Sequence, residues 1–86
     1  MNSEQVLKYP LATEKSVMLV EKENTLLFIV DLKSDKADIK KAVEKTFEVK
    51  VKNVNTYVSN TGVKKAYVRL TSAYFARDIM TKLGLM

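Results

Sequence analysis

Lys50, Lys52, Lys64, Lys65 and Arg69 are the residues whose type and spacing could do chemistry, and that chemistry is the binding of a polyanion. Lys50 and Lys52 alternate along one extended pattern, and Lys65, Tyr67 and Arg69 alternate along another. Each set therefore projects from one side of its strand. Asn55 and Thr56 add neutral donors suited to sugar and phosphate oxygens. Lys64 and Lys65 are the first candidates, because they are adjacent, unopposed by acid and next to a turn. The charge distribution points the same way. Residues 1–49 carry eight Lys against nine Asp or Glu, a balance of −1, and residues 50–86 carry seven Lys or Arg against one Asp, a balance of +6, which sum to the net +5. A cation excess confined to one half suggests nucleic acid first and an anionic membrane surface second.

Each of these residues also has a plainer role to weigh. Lys50 and Lys52 would protect an edge strand from aggregation. Tyr67 would pack half under an early helix, and Asn55 and Thr56 would satisfy backbone groups beside a bulge. Lys40, Lys41 and Lys45 read as a solvated helix face, partly neutralised by Glu44 and Glu48.

Other chemistries have little to work with. The chain has no cysteine and no histidine. That removes disulfides, thiolate nucleophiles, the usual zinc ligands and the commonest general base. The acids are scattered singly, so no metal site is expected, and no cofactor. Gly62 and Gly84 stand too far apart to cradle a phosphate. An enzyme is not expected. The 86 residues, 47% hydrophobic and 29% charged, make one small domain over 1–86. Such a chain buries roughly 60% of its unfolded surface. No apolar run reaches about 18 residues, so no membrane insertion is expected. The N-terminus lacks a basic start followed by an apolar run, so no signal peptide is expected and the location is read as cytoplasmic.

The elements that must position the cations follow from periodicity. Gln5 to Tyr9 reads as a short edge strand, stopped by Pro10. Thr13 is an N-cap for a helix to Glu21, with Val17 and Val20 on its apolar face. Lys22 to Asn24 turns the chain. Thr25 to Asp31 is the most apolar run, a strand covered on both faces. Ser34 or Asp35 caps the main helix, whose stripe is Ile39, Ala42, Val43, Thr46 and Phe47. Lys40 and Glu44 sit at i, i+4. Helical period then gives way to alternation at Val49, and the phase slips at Asn53, which reads as a bulge. Ser59 to Gly62 forms a short hairpin turn, Val63 to Leu70 the return strand. Thr71 or Ser72 caps a last helix with Phe75, Ala76, Ile79, Met80 and Leu83 inside. The fold class is α+β. The expected sheet has four strands, mainly antiparallel, in order 1-2-4-3, with a split β-α-β unit and helices on both faces.

Several segments resemble a known family. Pro10 with Thr13-Glu14-Lys15, Asn24 before the apolar strand, Lys36…Ile39-Lys40…Ala42-Val43-Glu44…Phe47, Val49…Val51…Val54-Asn55-Thr56 and Lys64-Lys65-Ala66-Tyr67-Val68…Leu70 resemble the universal ribosomal large-subunit protein twenty-three family, in order and spacing. The resemblance implies a structural ribosomal protein that binds domain III of large-subunit rRNA beside the nascent-chain exit tunnel. Its implied neighbours are large-subunit protein twenty-nine, signal recognition particle and the protein-conducting channel. It implies that Lys15 is an RNA-side cation and that Glu14 maps onto a factor-docking glutamate, although a first-turn carboxylate also suits the helix dipole. The short Ser59–Gly62 link resembles archaeal or eukaryotic members rather than bacterial ones, whose long basic loop reaches into the tunnel. Two other readings stand beside this one: a free single-stranded RNA-binding module resembling an RNA-recognition motif, and a protein-interaction domain with no RNA role.

Overall fold

The computed structural model describes residues 3–85; Met1, Asn2 and Met86, included in the expected domain 1–86, lie outside the described residues. In chain order the elements are α1 (Ser3–Val6), β1 (Leu7–Pro10), α2 (Glu14–Glu23), β2 (Thr25–Val30), α3 (Lys36–Phe47), β3 (Val51–Val58), β4 (Lys64–Leu70) and α4 (Ala76–Lys82). The sheet order is β1-β2-β4-β3, as expected, with every neighbouring pair antiparallel. β2 and β3, both antiparallel to β4, are therefore parallel to each other with β4 between them, the split arrangement that α3 bridges.

Capping decides where the helices start. Thr13 is the N-cap of α2, and its Oγ1 accepts from the Ser16 N–H at 3.2 Å while Ser16 Oγ accepts from the Thr13 N–H at 2.7 Å. Asp35, not Ser34, caps α3 by the same reciprocal box with Asp38, its carboxylate accepting from the Asp38 N–H at 2.8 Å. That bond, above all, holds the Asp35 carboxyl below its ordinary value of 3.8. A depressed folded value means the stabilisation is complete above the ordinary value and is lost as pH falls through the lower one. Asp35→Asn, which keeps the cap acceptor, should flatten the acid limb of stability measured by thermal melts between pH 5 and 2. Parallel acid limbs for the two proteins would remove Asp35 from the account.

Alternation of β2 and β4 divides the sheet into two faces. Leu26 and Phe28 pair with Val68 and Ala66, and with Leu70 and Val54 they form the inner face. Ile39, Ala42 and Val43 of α3 and Ala76, Ile79 and Met80 of α4 join that core. Phe28 and Phe47 stack at 5.8 Å between ring centroids. On the opposite face Leu27 is buried, and it shares a groove with Leu11, Met18 and Leu19 from α2 and the chain leading into it. All six residues of β2 are buried, so the strand read as covered on both faces is so.

Four local expectations need correction. Gln5 and Val6 belong to α1, not to the edge strand, and β1 starts at Leu7. Val6 is 1% exposed within the core, so burial outweighs the strand propensity of a β-branched residue. Thr46 is exposed, which narrows the α3 stripe. Glu44 does not serve Lys40: its Oε2 accepts from the Val51 N–H at 2.9 Å, occupying a donor at the start of β3. The fourth is the last helix, which begins at Ala76 rather than after Thr71 or Ser72. Phe75 is its N-cap residue without a side-chain cap bond and is 58% exposed, and Leu83 is 39% exposed. Among the described residues no helix is long and apolar enough to cross a membrane.

Candidate nucleic-acid interface

The β3 bulge fixes which side chains share the outer face. The register slips between Val51 and Asn53, and from there Asn53 pairs with Arg69, Asn55 with Tyr67 and Tyr57 with Lys65. Across β4 the same three residues pair with Thr25, Leu27 and Ile29 of β2. Three rows therefore cross the outer face: Thr25–Arg69–Asn53, Leu27–Tyr67–Asn55 and Ile29–Lys65–Tyr57. The β2 members are buried, Lys65 and Tyr67 are half-buried, and Arg69 with the three β3 residues is exposed. None of these nine positions is acidic. The face thus offers two fixed cations, amide donors and two phenol rings on one rigid platform, which suits phosphate, sugar and base contacts together.

Helix α2 adds to it. Lys15 and Lys22 line a groove of about 660 Å³ that also takes in Lys65 and Tyr67, with Leu27, Met18 and Leu19 as apolar wall. Tyr67 takes the plainer role weighed for it, packing toward α2, and is half-buried there, with part of its side chain left accessible. Lys15 joins Lys65 at this groove. Glu14, one residue earlier, is exposed in the first turn of α2, where a carboxylate favours the helix dipole.

The remaining candidates separate. Lys64 departs furthest from the shared face. Adjacent residues on a strand point to opposite faces, and Lys64, paired with Val30 and Val58, lies on the other side from Lys65. Its Nζ donates to the Ser34 carbonyl oxygen, and its charge also lowers the Asp35 carboxyl slightly. Lys64 thus ties the start of β4 to the turn before α3. Thr56 pairs with Ala66 on the inner face, half-buried, and does not join Asn55. Lys50 and Lys52 do not form one projecting pair either. Lys50 precedes β3, where its carbonyl accepts from the Thr71 N–H, and Lys52 stands at the bulge. Both are exposed; Lys52 lines a second cleft with Arg69. β3 is an edge strand, so a charged bulge there also discourages edge pairing.

Asn53, Tyr57, Lys22 and Arg77 are surface groups that the sequence reading passed over. Asn53 and Tyr57 were accessible from it, since they share the parity of Asn55 after the bulge. Lys22 and Arg77 needed the placement of helices α2 and α4. The hairpin link is short, with Ser59 N–H donating to Val63 O at 2.9 Å and Gly62 at φ +80° making the turn. Phe28, the first-strand aromatic that an RNA-recognition motif would display, is 2% exposed.

Comparison with known proteins agrees with the resemblance. Residues 5–76 match the family model described as ribosomal protein L23. The chain is 45% identical over 82 residues to the large ribosomal subunit protein uL23 of Trypanosoma brucei brucei, a match that covers 95% of this chain and 50% of that protein. The chain therefore spans about half the length of the curated relative it matches.

Proposed function

The chain belongs to the ribosomal protein L23 family, and on that basis we propose that it is a structural, non-enzymatic constituent of the large ribosomal subunit in cytoplasmic ribosomes. It binds large-subunit rRNA through the outer face of the sheet. The observation that carries this is the acid-free grid of Lys65, Tyr67 and Arg69 on β4 beside Asn53, Asn55 and Tyr57 on β3, with Lys15 and Lys22 of α2 at its margin. Phosphate contacts from such a platform position the protein and stabilise folded RNA without reading sequence.

The finer placement rests on the family resemblance. The rRNA segment is domain III, beside the nascent-chain exit, with large-subunit protein twenty-nine as neighbour. The protein also contributes to the platform for signal recognition particle and the protein-conducting channel, and exposed Glu14, at the start of α2, is the residue assigned to docking. The short β3–β4 link carries no tunnel-lining loop.

The test is sedimentation of the chain expressed in cells. It should travel with large subunits in a gradient and protect a defined rRNA region from hydroxyl-radical cleavage. Recovery in the free pool alone, at low salt, would end the reading. Protection outside domain III would keep the RNA role and discard the finer placement.

A further inference from the structure

Phe75 breaks a local rule. N-cap positions favour Ser, Thr, Asp and Asn, whose side chains accept from the first helical N–H groups, and Phe does nothing there. The α4 N-terminus is satisfied from elsewhere: Asn24 Oδ1 accepts from the Ala76 N–H at 2.7 Å, across 52 positions of sequence. That arrangement frees the N-cap position, and it is filled by an aromatic ring that is 58% exposed. Burial does not explain it, since the neighbouring Ala76, Ile79 and Met80 take the core places.

What surrounds the ring is cationic. Phe75 lines a cleft of about 860 Å³ at the open end of the sheet, together with Lys22 of α2, Lys52 at the β3 bulge, Arg69 of β4 and Arg77 of α4. Four elements each supply one cation, against one acid, Glu21, among the lining residues. An exposed aromatic plane among lysines and arginines matches the two chemistries of an unpaired nucleotide, a π-face and an attached phosphate. A paired duplex offers the phosphates without the free π-face. An acidic peptide would use the cations but would leave the ring without a matching partner.

We propose that this cleft holds one unstacked nucleotide of the bound RNA, with its base on Phe75 and its flanking phosphates on Arg69, Arg77, Lys52 and Lys22. The proposal rests on the RNA-binding reading above and deepens it, by giving the protein a preference for RNA with a bulged or looped-out residue. Arg69 links the two regions, since it belongs both to the outer-face grid and to the cleft.

The probes are a short RNA duplex and the same duplex with a single unpaired uridine, titrated with the chain by fluorescence anisotropy. The parent protein should favour the bulged duplex. Phe75→Ala should weaken binding to the bulged duplex about tenfold, the scale of a lost base–aromatic stack, and leave the paired duplex unchanged. Phe75→Trp should restore the preference. A 5-iodouridine placed at the bulge should crosslink to Phe75. Equal affinity of the parent for both duplexes, or equal loss on both in Phe75→Ala, overturns the proposal and leaves the RNA-binding reading intact. Failure to bind either duplex with a salt-dependent affinity overturns both. An unchanged melting temperature of Phe75→Ala, expected for an exposed ring, excludes misfolding as the cause.

Discussion

Asn24→Ala should be the most destabilising substitution of a partly exposed residue, at about 3–4 kcal/mol, or roughly 20 °C in melting temperature. Asn24 ends α2 in the left-handed conformation at φ 53°, which Asn adopts at lower cost than Ala. Its side chain then makes three bonds to one distant junction. Nδ2 donates to the carbonyls of Tyr74 at 2.7 Å and Thr71 at 3.3 Å, and Oδ1 accepts from the Ala76 N–H. Its carbonyl also accepts from the Leu70 N–H at 3.1 Å. Ala76 is fully buried, so its N–H would be stranded by the substitution, and an unpaired buried donor costs about 1–3 kcal/mol by itself. A chain of this size has roughly 4–13 kcal/mol of total stability, so the loss is a large share of it. A series separates the contributions. Asn24→Gly restores the backbone freedom and should recover about 1 kcal/mol. Asn24→Asp keeps the acceptor for Ala76 but sets a carboxylate oxygen against the carbonyls of Thr71 and Tyr74, and should remain close to Ala. Urea unfolding of the four proteins is the measurement. A cost below about 1 kcal/mol for Ala would reduce Asn24 to a turn residue.

Asn24 also marks the limit of what could be read from sequence. Its position before the apolar strand was visible, and its turn role followed from residue type. Its capping of α4 was not, because Thr71 and Ser72 are better local cap candidates and the true acceptor lies 52 positions away. Where one period gives way to another, as at Val49, or where alternation slips, as at Asn53, the pattern alone located the helix end, the bulge and the strand order. Both signals are local and strong, since a slip of one residue reverses every side chain on a strand. Val6 went the other way: a β-branched residue beside a strand, it took a helical turn because the core claims its side chain. Parity along the strands is enough to put Lys65, Tyr67, Arg69 and Asn55 on one face, as the register does. Adjacency in sequence is not such a guide. Lys64 neighbours Lys65, and Thr56 neighbours Asn55, but a period of two places each couple on opposite faces.

That division of faces yields the sharpest functional prediction. Lys15→Ala, Lys65→Ala and Arg69→Ala combined should weaken binding to a large-subunit rRNA transcript about 10²-fold near physiological salt. Each phosphate contact removed should reduce the slope of log affinity against log salt by about 0.7–0.9, so three removed contacts lower it by about 2–3. Lys15 and Arg69 are exposed, and among the described residues the Lys65 ammonium makes no hydrogen bond comparable to the tie made by Lys64. The triple variant should therefore melt near the parent temperature. Lys64→Ala should behave in the reverse sense. Its ammonium is engaged with the Ser34 carbonyl oxygen on the other side of the sheet. Removing it should lower the melting temperature through the loosened α3 approach and leave both affinity and salt slope unchanged. The comparison is internal to one strand, between neighbours of identical chemistry, so charge number alone cannot produce it. Electrostatic attraction by the whole basic half would make Lys64→Ala and a single Lys65→Ala equivalent in salt slope. Contact through the outer face makes only the second one matter. Equal slopes for those two single variants would discard the face assignment while leaving the net-charge argument standing.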